Sequence, residues 1–343
     1  MADNLAVIAS AGSRKTQQLV ESALAIDTGR ALITTYTIEN QRQIRKRIES
    51  MVGITPPHIS IVGWFSFLIS QCAKPYQRAL TEEPGIIQGL NFRTSPPRFA
   101  KKTDVTAHYL DRNHDMYRDR VSDFICQLHA ATNGAVTARL ERIYGHVFVD
   151  EVQDLVGYDL DVLDLLIESE VNVTVVGDPR QFTLSTSHGT RNKKYRGVGL
   201  VDWFQERSDR CQVEERTDNY RSNAEICEFA NSIFPDLAPM SSASQEDDEQ
   251  RGINLVSRKE AVDYYEAHRP TVLRDNKNAD TLNLPAMNIG VSKGSTFDHV
   301  LIFPTKPMLK FVEDRNPAHL KAPERLYVAV TRARHSVAFV LPS

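Results

Sequence analysis

The sequence predicts an α/β fold built on parallel sheets. Near the start of the chain, short apolar segments alternate with helical segments. We expect strands at 5–8, 31–35 and 59–62, with helices at about 15–25 and 39–50 between them. Because a strand, a helix and a second strand in this order usually place the two strands in parallel, this alternation predicts a parallel sheet.

Strand patterns return later in the chain and indicate a second α/β domain. We predict a first domain from residues 1–66 and 141–208, interrupted by a mainly helical insertion at 67–140. We predict a second domain at 209–343, with a flexible polar loop at 241–252 that has few apolar residues. The expected later strands are 147–149, 173–176, 253–256, 271–273, 300–303 and 337–341, with a helix at about 323–333.

Composition places the chain among ordinary globular proteins. Of its 343 residues, 41% are hydrophobic and 25% charged, and the net charge is −3. This charge neither supports nor excludes nucleic-acid binding, since a local groove can be basic on a neutral protein. The four cysteines are scattered, without zinc-type spacing. No apolar run reaches membrane-spanning length and residues 1–9 lack a signal-peptide pattern, so we expect a cytoplasmic protein with reduced thiols.

The most informative segment is 147–154, where an apolar strand ends in the adjacent carboxylates Asp150 and Glu151. P-loop NTPases use such a pair to serve Mg²⁺ with one carboxylate and the attacking water with the next. Taken alone, the segment could equally be a strand that runs into a solvated turn.

A second segment, 9–16, follows a strand and opens a helix, which is the setting of a phosphate-binding loop. Lys15 would reach the β- and γ-phosphates, and Thr16 would ligate Mg²⁺. Arg14 stands where a glycine is usual, so the loop alone is a weak match. The predicted phosphate contacts are Ala11, Gly12, Ser13, Arg14, Lys15 and Thr16.

Together with further motifs in the right order, these segments resemble the superfamily 1A helicases of the UvrD/Rep/PcrA type, in a compact form with reduced accessory subdomains. Each motif alone could arise by chance, whereas the ordered set is specific. The matching segments are 35–37, 43–48, 63–67, 150–154, 176–181, 195–197, 219–222, 293–300 and 326–334.

The resemblance implies two RecA-like P-loop NTPase domains with parallel sheets and a small helical insertion. It implies ATP and Mg²⁺ as cofactors, with Asp150 at the metal and Glu151 at the attacking water. Gln181 would sense the γ-phosphate, and Arg221 and Arg332 would act as arginine fingers. The alternatives are ordinary, since Arg332 could be a solvated helix arginine and Arg221 a capping residue on the surface.

The departures from the family concentrate on the nucleoside. Gln17 stands where the family often has an arginine near the base, and Thr296 replaces a ribose-contacting glutamate. The eight residues ahead of Ala9 do not contain the family's adenine-reading glutamine segment, so we expect no adenine contact from it. Tyr220 remains as a base-stacking candidate, and Gly294 and Gln17 complete the predicted nucleotide contacts. Arg14 either adds a phosphate contact or is solvated. We therefore expect loose nucleotide selectivity.

Single-stranded DNA is the implied partner. Aromatic and basic side chains would hold it, although aromatic residues at strand ends are often core residues. Tyr195 is the strongest aromatic candidate, because lysines and an arginine surround it. The predicted DNA contacts are Thr35, Tyr36, Trp64, Phe65, Tyr195 and Arg196.

The expected function is a nucleic-acid-stimulated ATPase that acts as a 3′–5′ single-stranded DNA translocase or helicase. Family members of reduced size often work beside a nuclease in DNA repair or in antiviral defence against phage. The alternative is a nucleotide-binding regulatory or DNA-binding module with weak or no hydrolysis. The arginine at position 14 favours that alternative, and the intact catalytic set opposes it.

Overall fold

The computed structural model describes residues 3–81, 83, 85–245 and 251–342. Contacts within the chain divide it into two units. The first unit contains 3–8, the bulk of the chain from 15 to 179, and 185–214. The second contains residues 215–342 where described, together with two short segments, 9–14 and 180–184.

The first unit is built on a six-stranded sheet. Its strands, with a separate short pair in the insertion, are β1 (Leu5–Ala9), β2 (Ala31–Thr35), β3 (Ile59–Gly63), β4 (Leu90–Asn91), β5 (Met116–Tyr117), β6 (His146–Asp150), β7 (Asn172–Gly177) and β8 (Gln212–Arg216). The order in the sheet is β3-β2-β6-β7-β1-β8. All pairings from β3 to β1 are parallel, which confirms the predicted α/β class.

Helices connect these strands. The α-helices of the first unit are α1 (Lys15–Leu24), α2 (Ile38–Val52), α3 (Trp64–Phe67), α4 (Val105–Tyr109), α5 (Val121–Ala131), α6 (Ala135–Ile143), α7 (Tyr158–Ile167) and α8 (Leu200–Gln205). The start of α2 is capped by Thr37, whose side-chain oxygen accepts from the Asn40 N–H. Gly53 ends this helix in a left-handed conformation, with φ of 86°.

The predicted helical insertion is less helical than expected. Its α-helices lie after residue 104, whereas the described residues of 74–104 hold one short 3₁₀ turn, Gln77–Ala79, and strand β4. Strand β4 pairs in parallel with β5. Pro96 and Pro97 explain part of the difference, because proline lacks the N–H that a helix interior needs. A six-residue π-helical stretch, Leu68–Ala73, directly continues α3.

The second unit is built on a five-stranded sheet with the order β11-β15-β14-β12-β13, and its observed pairings are parallel. Its strands are β9 (Asp218–Asn219), β10 (Ser241–Ser242), β11 (Gly252–Ser257), β12 (Thr271–Arg274), β13 (Ala286–Asn288), β14 (Phe297–Phe303) and β15 (Ala333–Leu341), and its α-helices are α9 (Ala224–Ile233), α10 (Ala261–His268), α11 (Lys306–Asp314) and α12 (Pro323–Val330).

Two details of the second unit differ from the prediction. The predicted loop at 241–252 begins with β10, which pairs in parallel with β9, and its last residue begins β11. The middle of that loop, 246–250, lies outside the described residues. Helix α12 ends at Val330 rather than near residue 333, because Ala333 already belongs to the long strand β15.

Each unit has its own apolar core. Trp64, Phe124 and Trp203 lie in the core of the first unit, and Phe229, Phe311 and Phe339 in that of the second. All four cysteines are free thiols. Across the described ranges, no helix is both long and apolar enough to cross a membrane.

Candidate nucleotide and nucleic-acid sites

The loop between β1 and α1 needs a glycine at position 12. Gly12 has a φ of 73°, a region that side-chain-bearing residues seldom adopt. A Cβ at this position would also lie 2.2 Å from Oδ1 of Asn219, which belongs to the same unit. Backbone conformation and close packing therefore both favour glycine here, as the sequence motif predicted.

The start of α1 and the end of β6 meet within the first unit. The Thr16 hydroxyl lies 3.1 Å and 3.3 Å from the two carboxylate oxygens of Asp150. Lys15 is buried, and its charge is close enough to lower the pKa of Asp150. The end of β6 and the start of α1 thus bring together three predicted groups: the phosphate-binding Lys15 and the metal ligands Thr16 and Asp150.

The electrostatics of Asp150 suit a cation ligand. Only 3% of the residue is exposed. Burial, and then the charge of Glu151, raise the pKa of Asp150 to about 7, while Lys15, the Thr16 hydroxyl and the Glu151 N–H oppose that rise. A carboxylate that is this costly to ionise gains most from a bound cation.

Glu151 is oriented by its neighbours. Its backbone is left-handed, with φ of 57°, a conformation that residues with a side chain seldom adopt. The Gln153 amide donates to a Glu151 carboxylate oxygen. Oε1 of the same amide accepts from the Asp178 N–H at 3.1 Å. Gln153 therefore links the carboxylate of one motif to the backbone of the next.

The second unit holds Arg332 and Gln181 in contact. Arg332 is 2% exposed, and its Nη2 donates to Oε1 of Gln181 at 3.0 Å. Its Nε and Nη1 donate to the carbonyl groups of Val328 and Ser295, at 3.1 Å and 3.3 Å. The interpretation of Arg332 as a solvated helix arginine is therefore wrong. Ser295 follows Gly294, whose φ of 84° forms the turn before β14.

The segment after β9 forms a compact turn. Oδ1 of Asn219 accepts from the N–H groups of Arg221 and Ser222, at 2.8 Å and 2.9 Å. The Arg221 guanidinium donates to the Thr331 carbonyl at 2.7 Å. In this conformation, Arg221 thus contacts the same chain segment that carries Arg332.

Residues 10–12 make three hydrogen bonds within the second unit. The Ser10 N–H donates to the Arg216 carbonyl at 2.9 Å. The Ala11 N–H donates to the Tyr327 hydroxyl at 3.2 Å. The Gly12 carbonyl accepts from the Tyr220 N–H at 3.0 Å. The Ala11 N–H, which is among the predicted phosphate contacts, therefore has a protein partner here.

Arg14 has a position that the sequence did not predict. Its guanidinium carbon lies 4.2 Å from the centre of the Tyr220 ring, in a cation–π contact. Its φ of 61° is left-handed, which costs a residue with a side chain about 1–2 kcal/mol. An exposed cation–π contact returns only about 0.5–1 kcal/mol. The loop hydrogen bonds must therefore help to hold this conformation.

Gln17 has side-chain partners on α1 and α2. Its Oε1 accepts from Arg47 at 2.8 Å, and its Nε2 donates to Glu21 at 2.7 Å. Arg47, which belongs to the motif at 43–48, thus brings a guanidinium group to the position where the family often has an arginine.

Among the predicted DNA contacts, Trp64 is a core residue. It is 1% exposed, and its indole N–H donates to the buried carboxylate of Asp159 at 2.7 Å. A ring buried on both faces cannot stack on a base, so this prediction is wrong in the described conformation. Thr35 is also buried, and its hydroxyl accepts from the Asn40 amide at 3.3 Å.

An aromatic cluster extends toward the surface beside these residues. Phe65 is buried but packs edge-on against the half-buried Tyr36 at 6.0 Å and against Phe92 at 5.8 Å. Phe92 is 57% exposed. Phe92 was not predicted from the sequence, because a single aromatic residue in a polar, irregular segment does not indicate a binding site.

The segment with Tyr195 and Arg196 is held by local contacts. Tyr195 is half-buried, its hydroxyl donates to Glu206, and the Lys194 ammonium lies 4.3 Å from the ring centre. Arg196 donates to the Gly189 carbonyl. The predicted basic surroundings of Tyr195 are thus present, and part of its ring is covered by a lysine.

A group of three or more His, Cys, Asp or Glu side chains arranged for a metal ion is absent from the part of the chain that the structure describes. One carboxylate and one hydroxyl are nevertheless enough for Mg²⁺, which keeps several waters and takes phosphate oxygens as further ligands.

Comparisons with known proteins find one family model and structures of similar fold. The family model of the UvrD/REP helicase N-terminal domain matches residues 65–184. The crystal structure of Arterivirus nonstructural protein 10, a helicase, superposes with a TM-score of 0.51 at 15% sequence identity, covering 98% of this chain and 59% of that one. A complex of the same helicase with DNA gives a TM-score of 0.51 at 15% identity and covers 98% and 61%.

The chain thus spans about three fifths of the length of these helicases, and no curated protein sequence matches it. The match at 65–184 includes Asp150, Glu151 and Gln181. The chain has an α/β fold similar to that of the Arterivirus helicase and contains a match to the UvrD/REP helicase N-terminal domain.

Proposed function

We propose that the chain is a nucleic-acid-stimulated ATPase that acts as a 3′–5′ single-stranded DNA translocase or helicase of the superfamily 1A type. The observation that carries this proposal is the contact of Thr16 with Asp150, with buried Lys15 and the oriented Glu151 beside it. Such a set matches the needs of phosphoryl transfer, which depends mainly on positioning and charge stabilisation.

The residues present fit a nucleotide and Mg²⁺. The Ser13 hydroxyl is buried without a hydrogen-bond partner among the described residues, and such a group is costly unless a ligand satisfies it. Residues 11–16 would hold the phosphates, and Thr16 and Asp150 would hold the metal. When bound, Mg²⁺ neutralises charge on the phosphate oxygens.

The protein's own groups then have distinct tasks. Glu151, oriented by Gln153, would accept a proton from the attacking water. Gln181, Arg221 and Arg332 would act on the γ-phosphate, as the family resemblance implies. The direct bond between Arg332 and Gln181 supports a shared role for these two side chains.

Single-stranded DNA is the proposed partner. Stacking on aromatic rings and contacts of basic groups with phosphates can hold a strand without reading its sequence. We propose Tyr36, Tyr195 and Arg196 as contacts, with Phe92 as an addition from the insertion. Phe65 would act by packing between Tyr36 and Phe92.

We propose a cytoplasmic protein that works in DNA repair or antiviral defence beside a nuclease. We likewise propose domains at 1–66 with 141–208 and at 209–343, and an insertion at 67–140.

A second candidate function is a nucleotide-binding regulatory module with weak or no hydrolysis. The protein partner of the Ala11 N–H favours it, because this predicted phosphate donor is bonded to the Tyr327 hydroxyl. Phosphate release from ATP, measured with and without single-stranded DNA, separates the two functions. A DNA-stimulated rate that Lys15→Ala abolishes supports the ATPase, whereas nucleotide binding without phosphate release supports the module.

A further inference from the structure

The pair formed by Arg14 and Tyr220 points to a property of the base side of the site. Arg14 is a residue of the phosphate loop, and its guanidinium covers one face of the Tyr220 ring within the second unit. The family resemblance makes Tyr220 the candidate for stacking on a base. The guanidinium therefore occupies a ring face on which a base could otherwise stack.

The distance leaves no room for both groups. At 4.2 Å from the ring centre, the guanidinium is already in van der Waals contact with the ring. A base needs the same contact distance to stack. A base can thus use this face of Tyr220 only after Arg14 has moved away.

The backbone on both sides of the pair fixes this arrangement. The Tyr220 N–H donates to the Gly12 carbonyl at 3.0 Å, two residues before Arg14. The Gly12 Cα packs so closely on the buried Asn219 that a Cβ would lie 2.2 Å from its Oδ1. These two contacts fix the position of residues 12–14 against residues 219–220, and this position brings Arg14 to the Tyr220 ring.

We infer that Arg14 is a specificity-determining residue that keeps the nucleobase off Tyr220, so that the site binds the triphosphate of any nucleotide and gains little affinity from the base. This inference rests on the proposed nucleotide site. The ligand class is a nucleoside triphosphate recognised through its phosphates, with the base left unread.

The test compares a ligand with a base and a ligand without one. Binding of magnesium AMP-PNP and of magnesium tripolyphosphate is measured by calorimetry on the full chain and on Arg14→Gly. Glycine adopts the left-handed conformation of residue 14 without strain, so this variant should fold. A thermal melt checks folding.

We expect the wild-type protein to bind the two ligands with affinities within about tenfold of each other. In Arg14→Gly, AMP-PNP should bind at least about tenfold more tightly, while tripolyphosphate binding changes little. The double variant Arg14→Gly/Tyr220→Leu should lose this gain, because the freed ring is then missing.

Three results for Arg14→Gly would overturn the inference while leaving the phosphate site in place. An unchanged ratio of the two affinities would show that the stack does not affect the base. Weaker binding of AMP-PNP alone would show that Arg14 supports the base. Equal weakening of both ligands would show that Arg14 contacts phosphate. If tripolyphosphate fails to bind the wild-type protein, the proposed phosphate site falls, and the inference with it.

Discussion

The carboxylates at the end of β6 and the tyrosine after β9 are held in opposite ways. Asp150 is 3% exposed and, with Thr16 and the Glu151 N–H, belongs to a hydrogen-bonded set. Tyr220 is 41% exposed, and its ring contacts a cation from the phosphate loop. Buried polar groups discriminate strongly because a wrong ligand leaves them unpaired, whereas an exposed ring accepts any flat partner.

This comparison teaches where the specificity of the site resides. Thr16, Asp150, Glu151 and Gln153 offer fixed polar atoms suited to charge and metal geometry. Arg14 covers one face of Tyr220 and leaves no polar group there that would read a particular base. The account therefore predicts large effects from changes on the phosphate side and small effects from changes of base.

The largest effect is expected for Arg332→Ala. Loss of an arginine finger lowers kcat by about 10³–10⁵, and nucleotide affinity should change far less. Stopped-flow phosphate release and nucleotide binding measure the two quantities. Arg334→Ala is the matched control, because Arg334 lies in the same segment but pairs with Asp298 at the surface.

Arg332 is buried, so its loss can also destabilise the fold. A thermal melt separates the loss of stability from the loss of activity. Arg332→Lys keeps the positive charge but lacks the planar guanidinium group with its several N–H donors. Near wild-type kcat in a folded Arg332→Ala variant would remove the finger role and leave Arg332 as a structural residue.

The next effect is expected for Glu151→Gln. The change keeps the shape of the side chain and removes its ability to accept a proton, so kcat should fall by about 10²–10⁴ while nucleotide binding survives. Loss of nucleotide binding in a folded Glu151→Gln variant would contradict the assignment of Glu151.

Lys15→Ala should weaken nucleotide binding and hydrolysis together, because the buried ammonium group of Lys15 serves both.

The sequence predicted most strands of both sheets because these are apolar runs between polar segments, as at 31–35 and 147–149. It missed β8, which is largely polar, and β13, which has only three residues. It failed at Trp64, since a tryptophan at a strand end has the same local pattern in a core as on a surface. It also missed the stack of Arg14 on Tyr220, because the two residues are far apart in the chain and their contact depends on tertiary packing.

A smaller effect is expected for Tyr195→Ala on single-stranded DNA. If the ring stacks on a base, its loss costs about 1–3 kcal/mol of binding free energy. Binding should also weaken as salt rises, because phosphate contacts carry much of the affinity. Fluorescence anisotropy with a labelled strand measures both.

Trp64→Phe is the control for this prediction, because its buried ring should affect the melting temperature and leave DNA affinity near the wild-type value. Wild-type DNA affinity and ATPase stimulation in Tyr195→Ala would make Tyr195 a residue of local structure, held by Glu206 and Lys194.

The smallest effect, and the most direct test of the account, is the change of base. The measurement is kcat/KM for ATP, GTP, CTP and UTP on single-stranded DNA. Because Arg14 covers Tyr220 and Gln17 is bound to Arg47, the account predicts that GTP and CTP are hydrolysed within about tenfold of ATP, or about 1.4 kcal/mol in transition-state binding. Discrimination for ATP beyond about a hundredfold would contradict it, since other residues would then read the adenine.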